Sequence, residues 1–251
     1  MPRYFIDLSY RGTHFSGFQV QENANTVQAE VEKALAIFLR KPIMLTGSSR
    51  TDAGVHARQN FFHFDWEGNF ERAWIYNINA LLPADIVINH VYGVHEEAHC
   101  RFSATSRRYQ YYIYRYKDPF MQDRGWYFPF TLHEALLHEA AAFIKTQHDF
   151  RAFSKRNTQV ANFNCSIYES RWIKAQNHWV YEVEGNRFLR GMVRALVSTM
   201  LKMARTDSDI SYMKQLFENN IPSSADFSAP AQGLFLMEVK YPSGYLQPLP
   251  H

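Results

Sequence analysis

An aspartate and a histidine, Asp52 and His56, stand four residues apart in GSSRTDAGVHA (residues 47–57), among glycines, small hydroxyl side chains and one arginine, Arg50. A carboxylate and an imidazole in a segment made for tight turns suit a loop that presents functional groups on a rigid scaffold. The carboxylate offers a nucleophile or a base, and the imidazole a base beside it. An aspartate in such a sequence also serves simply to cap a turn, and the loop alone does not separate the two roles.

Two further stretches concentrate basic and aromatic residues. RRYQYYIYRYK (107–117) alternates so that Arg107, Tyr109, Tyr111, Ile113 and Arg115 share one strand face, and Arg108, Gln110, Tyr112, Tyr114 and Tyr116 the other. Tyrosine stacked on an unpaired base, with arginine on the adjoining phosphate, is how many sheets read single-stranded RNA. For any single ring, packing on the protein's own helices is an equal expectation. Arg107 and Arg108 are therefore candidate RNA contacts, as is His56 in the 47–57 loop. In FLRGMVRALVSTMLK (188–202), Arg190, Arg194, Ser198 and Lys202 recur every fourth residue, a polar stripe opposite Met192, Val193, Leu196, Val197, Met200 and Leu201. Such a stripe is usually just a solvated face; as a second basic array it also makes Arg190 a candidate RNA contact. An arginine at its edge can also reach a buried carboxylate, which makes Arg194 a candidate partner of Asp52.

One motif is set aside. HEEAH (95–99) matches HExxH, which on a helix puts two imidazoles and a glutamate around zinc. Here it follows the β-branched run DIVINHVYGV and leaves room for about one helical turn, with no third ligand in helical context. A metal hydrolase working through His95, Glu96 and His99 is not expected, and no metal is expected at the site.

The elements that must carry these groups read as follows. YFIDLSY (4–10) alternates as a half-buried strand with Asp7 and Ser9 outward. An N-cap at Asn25 or Thr26 opens a helix through Val27, Val31, Ala34, Leu35, Phe38 and Leu39. PIMLTG and NFFHFDW read as strands on either side of the 47–57 loop, FERAWIYNINALL as a helix ended by Pro83, and DIVINHVYGV as a strand. The second half repeats that order. The 107–117 strand comes first, and TLHE (131–134) is a capping box for HEALLHEAAAFI. SIYESRWIKA and HWVYEVEG form a hairpin, a long helix starts near Phe188, and GLFLMEVKY closes the chain. The expectation is an α+β protein of two ferredoxin-like or RRM-like βαββαβ halves, residues 1–104 and 105–251, their antiparallel sheets meeting at a central active-site cleft.

Composition constrains less. Lys plus Arg number 27 against 24 for Asp plus Glu, a net charge of +3 that is too mild to identify a polyanion partner by itself. Two cysteines without CxxC spacing fit a reducing compartment. No signal-like start is present, nor an apolar run near the ~20 residues a membrane span needs, so a soluble cytoplasmic protein is expected.

From Tyr4 nearly to Tyr241 the sequence resembles the TruA-type tRNA pseudouridine synthases. RTDAGVHA (50–57) looks like that family's catalytic motif, supported by YRGTHFSGFQ (10–19), TVQ (26–28), NALLPADI (79–86), RFSATSRRY (101–109), HDF (148–150), FLRGMVR (188–194) and APAQGLF (229–235). The resemblance implies that Asp52 is the catalytic aspartate, that Tyr109 stacks on the target uracil and that Arg194 pairs with Asp52. Arg50 would fill the gap left by the flipped nucleotide. It also implies a homodimer acting on tRNA at positions 38 to 40 of the anticodon stem-loop, without metal or organic cofactor. Phe18 stands where the family pattern leads one to expect tryptophan, and Asn60-Phe61 where Gln-Val is usual. The rival class is an RNA-binding module with no need of Asp52.

Overall fold

The computed structural model describes residues 1–156, 160–206 and 209–250. In chain order the principal elements are β1 (Arg3–Tyr10), α1 (Val27–Leu39), β2 (Thr46–Gly47), β3 (His56–Asp65), α2 (Trp74–Asn79), β4 (Ile86–Val94), β5 (Ser106–Tyr114), β6 (Trp126–Tyr127), α3 (Glu134–Lys145), β7 (Ile167–Lys174), β8 (His178–Gly185), α4 (Met192–Arg205), α5 (Ser211–Asn219), β9 (Leu234–Lys240) and β10 (Gln247–Pro248). The class is α+β. The chain forms two compact units, Met1–Thr105 with Leu236–His251, and Ser106–Phe235. The closing segment, expected with the second half, thus packs with the first. Among the described residues no helix is long and apolar enough to cross a membrane.

In the first unit the strands run β10-β4-β1-β3, with β2 also on β3; the β1–β3, β1–β4 and β2–β3 pairings are antiparallel. Phe5, Ile6, Leu8, Phe61 and Phe62 are essentially inaccessible, and α1 buries Val27, Val31, Ala34 and Leu35 at helical spacing. Thr26 is the cap of α1, its hydroxyl accepting from Ala29 N at 3.3 Å. Asp7, expected outward, is buried instead. Gln59 and Asn89 donate to its carboxylate at 3.0 and 3.3 Å, and Phe5 on the same strand packs at 5.4 Å on Tyr241 from the closing segment. Burial pushes the Asp7 carboxyl above its ordinary range, against the two donors.

Two elements are shorter than their sequence patterns. β2 keeps only two residues because side chains of α1 take the backbone groups before it: Leu45 N donates to Glu32 Oε1 at 2.9 Å and Gln28 Nε2 donates to Leu45 O at 2.8 Å. α2 stops at Asn79, whose side-chain amide pairs with both the N–H and the C=O of Ile88 on β4 at 2.8 and 2.9 Å. An amide that can imitate a strand edge ends the helix and ties it to the sheet.

In the second unit the strands run β5-β8-β7, with β6 parallel beside β5. Trp172 Nε1 on β7 donates to Met200 Sδ on α4 at 3.3 Å. The expected capping box of α3 is replaced: His133, not Thr131, is the cap, accepting from Leu136 N at 3.1 Å through Nδ1. The polar stripe expected on α4 is also corrected. Gly191, at φ +75°, sits at the N-cap and leaves Arg190 outside the helix. Ser198 is buried, its hydroxyl donating to Arg194 O at 2.9 Å within the helix. α3 and α5 both pack against α4.

Candidate active site

The 47–57 loop is held from several directions, all within the first unit. Phe18 N donates to Thr51 O at 3.1 Å, Ser48 N to Phe61 O at 2.8 Å, and Val55 N closes a turn on Asp52 O at 3.1 Å. Beneath the backbone lies a buried polar chain. Asn60 Nδ2 donates to Ser49 O at 2.8 Å and to the Tyr10 hydroxyl at 3.2 Å, and that hydroxyl shares a 2.8 Å bond with Thr51 Oγ1. Phe18 lies parallel to Phe62 at 4.4 Å and packs on Tyr10. The two departures at positions 18 and 60 are therefore structural supports of the loop.

Glycines set the close approaches. A Cβ on Gly12 would lie 2.0 Å from Val55 O, so only glycine lets the short helical turn after β1 meet the loop. Gly54 takes the third position of the Asp52–Val55 turn at φ +80°. Gly12 N donates to His56 Nδ1 at 3.1 Å, and His56 is 2% exposed. The imidazole expected to stand beside the acid as a base or RNA contact is therefore a buried clamp on the loop. Arg50 is exposed and Asp52 half-buried, so the loop presents a carboxylate and a guanidinium from a fixed backbone.

The second unit carries the other named residues. Tyr109 on β5 is 8% exposed and meets the Phe188 ring edge-on at 5.1 Å. Two residues on, the Tyr111 hydroxyl donates to Pro230 O at 2.7 Å, and Arg194 Nε on α4 donates to Ala229 O at 2.7 Å. β5 and α4 are thereby fastened to one short segment, where a Cβ on Gly233 would lie 2.5 Å from the Tyr111 ring. Burial pushes the Tyr111 phenol far upward, so it stays a donor. Arg107 is 9% exposed and donates through Nη1 to Asn186 O at 2.9 Å. Arg108 is half-buried and Arg190 exposed.

His95–His99 forms no helix, as its flanks led one to expect. One of its histidines enters a different grouping: ligand atoms of His63, His99 and Cys100 lie within 4.8 Å of one another and could hold a metal ion. Each of them already has a hydrogen-bond partner within the protein. His63 Nδ1 accepts from Cys100 N at 3.3 Å, His99 Nδ1 from Arg101 N at 3.1 Å, and Cys100 Sγ donates to Thr46 O at 3.1 Å. Burial is the main cause that takes the His63 imidazole down to about 4 and also lowers His99, so both rings are neutral near pH 7. The pattern reading missed this grouping because its members come from separated parts of the chain.

The family model described as tRNA pseudouridine synthase matches residues 8–103 and 141–242. A tRNA pseudouridine synthase A of Parabacteroides distasonis is 41% identical over 96% of this chain and 97% of its own length. That of Porphyromonas gingivalis is 41% identical over 97% and 98%, and one from Staphylococcus aureus 35% identical over 94% and 90%. The chain belongs to the tRNA pseudouridine synthase family.

Proposed function

We propose that this protein isomerises uridine to pseudouridine in the anticodon stem-loop of tRNA, at positions 38 to 40, with Asp52 as the catalytic carboxylate. The observation that carries the reading is the 47–57 loop, whose backbone is fixed by Tyr10, Thr51, Asn60 and His56 while Asp52 stays half-buried at its turn. Catalysis by positioning requires such a fixed presentation, since small misplacements of a reacting group cost orders of magnitude in rate.

The reaction breaks the N1–C1′ glycosidic bond, turns the uracil and joins C5 to C1′; the C5 hydrogen leaves as a proton and N1 gains one. A carboxylate can attack or stabilise an electron-poor sugar carbon, as in glycoside chemistry. No water has to be activated, so one acid suffices. The target base must leave its stack, at a cost of about a few kcal/mol that phosphate contacts offset. Tyr109 supplies the face on which the detached uracil stacks, Arg194 pairs with Asp52, and Arg50 occupies the space vacated by the flipped nucleotide. Arg108 and Arg190 contact phosphates; His56 and Arg107, buried on backbone partners, act as positioning residues.

The same reading includes a ferredoxin-like plan for each unit, supported in the first by the β4-β1-β3-β2 neighbour order. It also includes a homodimer, a cytoplasmic location, and chemistry without metal or organic cofactor. Light scattering tests the dimer. The activity is tested by tritium release from tRNA labelled at uridine C5, with and without chelator. Stoichiometric release in both arms is expected. No release would leave a silent RNA-binding module, and release lost with chelator would bring back a metal-dependent mechanism.

A further inference from the structure

RFSATSRRY opens with two residues that the proposed chemistry does not use, Arg101 and Phe102. Phe102 is 75% exposed, an unusual state for a large ring, yet it is supported. Its centroid lies 4.3 Å from that of His99, which in turn meets buried His63 at 4.7 Å, so a column of rings leads from β3 to the surface. The Arg101 guanidinium lies 5.7 Å from the Phe102 centroid. These residues border a cleft of about 210 Å³ in the first unit that is also lined by Gln19, by Phe18 and by Arg50 from the start of the catalytic loop.

From this arrangement we infer that the cleft binds a second, unpaired nucleotide of the same RNA, its base against Phe102 and its phosphate on Arg101. The inference rests on the proposed tRNA reading. The volume is below the ~300 Å³ of sites that enclose a whole small molecule, which suits one base of a larger ligand better than a free cofactor. An exposed arginine beside an exposed aromatic matches the combination by which single-stranded nucleic acid is held, a π face for the base and positive charge for the backbone. Gln19 at the rim adds donor and acceptor groups for a base edge. The column beneath Phe102 holds its ring in place before RNA arrives, so little side-chain freedom is lost on binding. Arg50 joins this cleft to the loop that carries Asp52, so a nucleotide seated here would fix the register of the strand entering the catalytic loop.

The test uses the full-length protein and an anticodon stem-loop transcript, with binding read by fluorescence anisotropy and chemistry by single-turnover tritium release. Phe102→Ala is expected to weaken binding about 5- to 150-fold, the range that loss of one base stack produces, while the rate at saturating RNA stays within about threefold. Phe102→Trp is expected to restore binding. Arg101→Gln is expected to lower the slope of log affinity against log salt by about one. Single abasic replacements through the loop locate the partner: at one position the abasic RNA should no longer distinguish wild type from Phe102→Ala. Binding within twofold of wild type for Phe102→Ala, or effects that simply multiply at every loop position, would overturn the inference. A protein that shows the coupling but releases no tritium would contradict the proposed activity and leave the binding site standing.

Discussion

Tyr10 at the end of β1 and Thr51 beside the candidate catalytic aspartate share a buried hydrogen bond of 2.8 Å between their hydroxyls. Asn60 from β3 donates to the same tyrosine oxygen, so one phenol ties two strands to the backbone next to Asp52. Tyr10→Phe removes that oxygen and leaves the Thr51 hydroxyl and one Asn60 proton without this partner. A stability loss of about 1–3 kcal/mol is expected, read as a lower melting temperature. The isomerisation rate should fall further than tRNA affinity, because the carboxylate is less well fixed. A melting shift with an unchanged single-turnover rate would show that this bond supports the fold and not the placement of Asp52.

Tyr109 is nearly buried against Phe188, which sharpens the test of its role. Tyr109→Phe keeps the ring and is expected to bind tRNA normally. Tyr109→Leu is expected to lose about 1–3 kcal/mol of base stacking. If the phenol also moves a proton, the Phe variant binds normally and turns over slowly. Melting temperature, affinity and single-turnover rate measured together decide the matter. A melting shift with proportionate loss of every other property would return Tyr109 to the core.

Glu182 provides a pH-dependent support for the sheet that carries Tyr109. Burial pushes its carboxyl upward, but hydrogen bonds from Gln110 at 2.7 Å and Arg171 at 2.6 Å outweigh burial and hold it below its ordinary value of 4.5. For an acid whose folded value is depressed, the contribution to stability is complete above the ordinary value and disappears as pH falls through the folded one. Urea unfolding between pH 7 and pH 3 should therefore show a smaller loss of stability for Glu182→Gln than for wild type. Parallel curves for the two proteins would remove Glu182 from the acid-sensitive groups.

Much of this architecture is legible in the residues, and its limits have physical causes. The Thr26 cap and the apolar spacing of α1 are local signals, and they locate the helix correctly. The motif at 50–57 is also local, so the family resemblance is legible in it before any fold is known, whereas the role of Asp52 is not settled by the loop alone. Burial is not local. Asp7 and Ser198 read as outward-facing because their covering partners, Gln59 and Asn89 for one and the 226 region for the other, are distant in sequence. His56 reads as a possible base because only the approach of Gly12 reveals that its Nδ1 is taken. Helix α5 was not anticipated, although Ser211 at its start, Met213 and Leu216 three apart on its buried side, and Asn220 in a left-handed conformation at its end are recognisable signals.

The most direct test of the account is single-turnover tritium release from tRNA labelled at uridine C5 by Asp52→Asn, with Asp52→Ala beside it. The proposed work of this carboxylate lies in the transition state, so both variants are expected to bind tRNA within about tenfold of wild type and to release no tritium above background. Pseudouridine formation by the asparagine variant at a rate near that of wild type would contradict the assignment of Asp52 as the catalytic group.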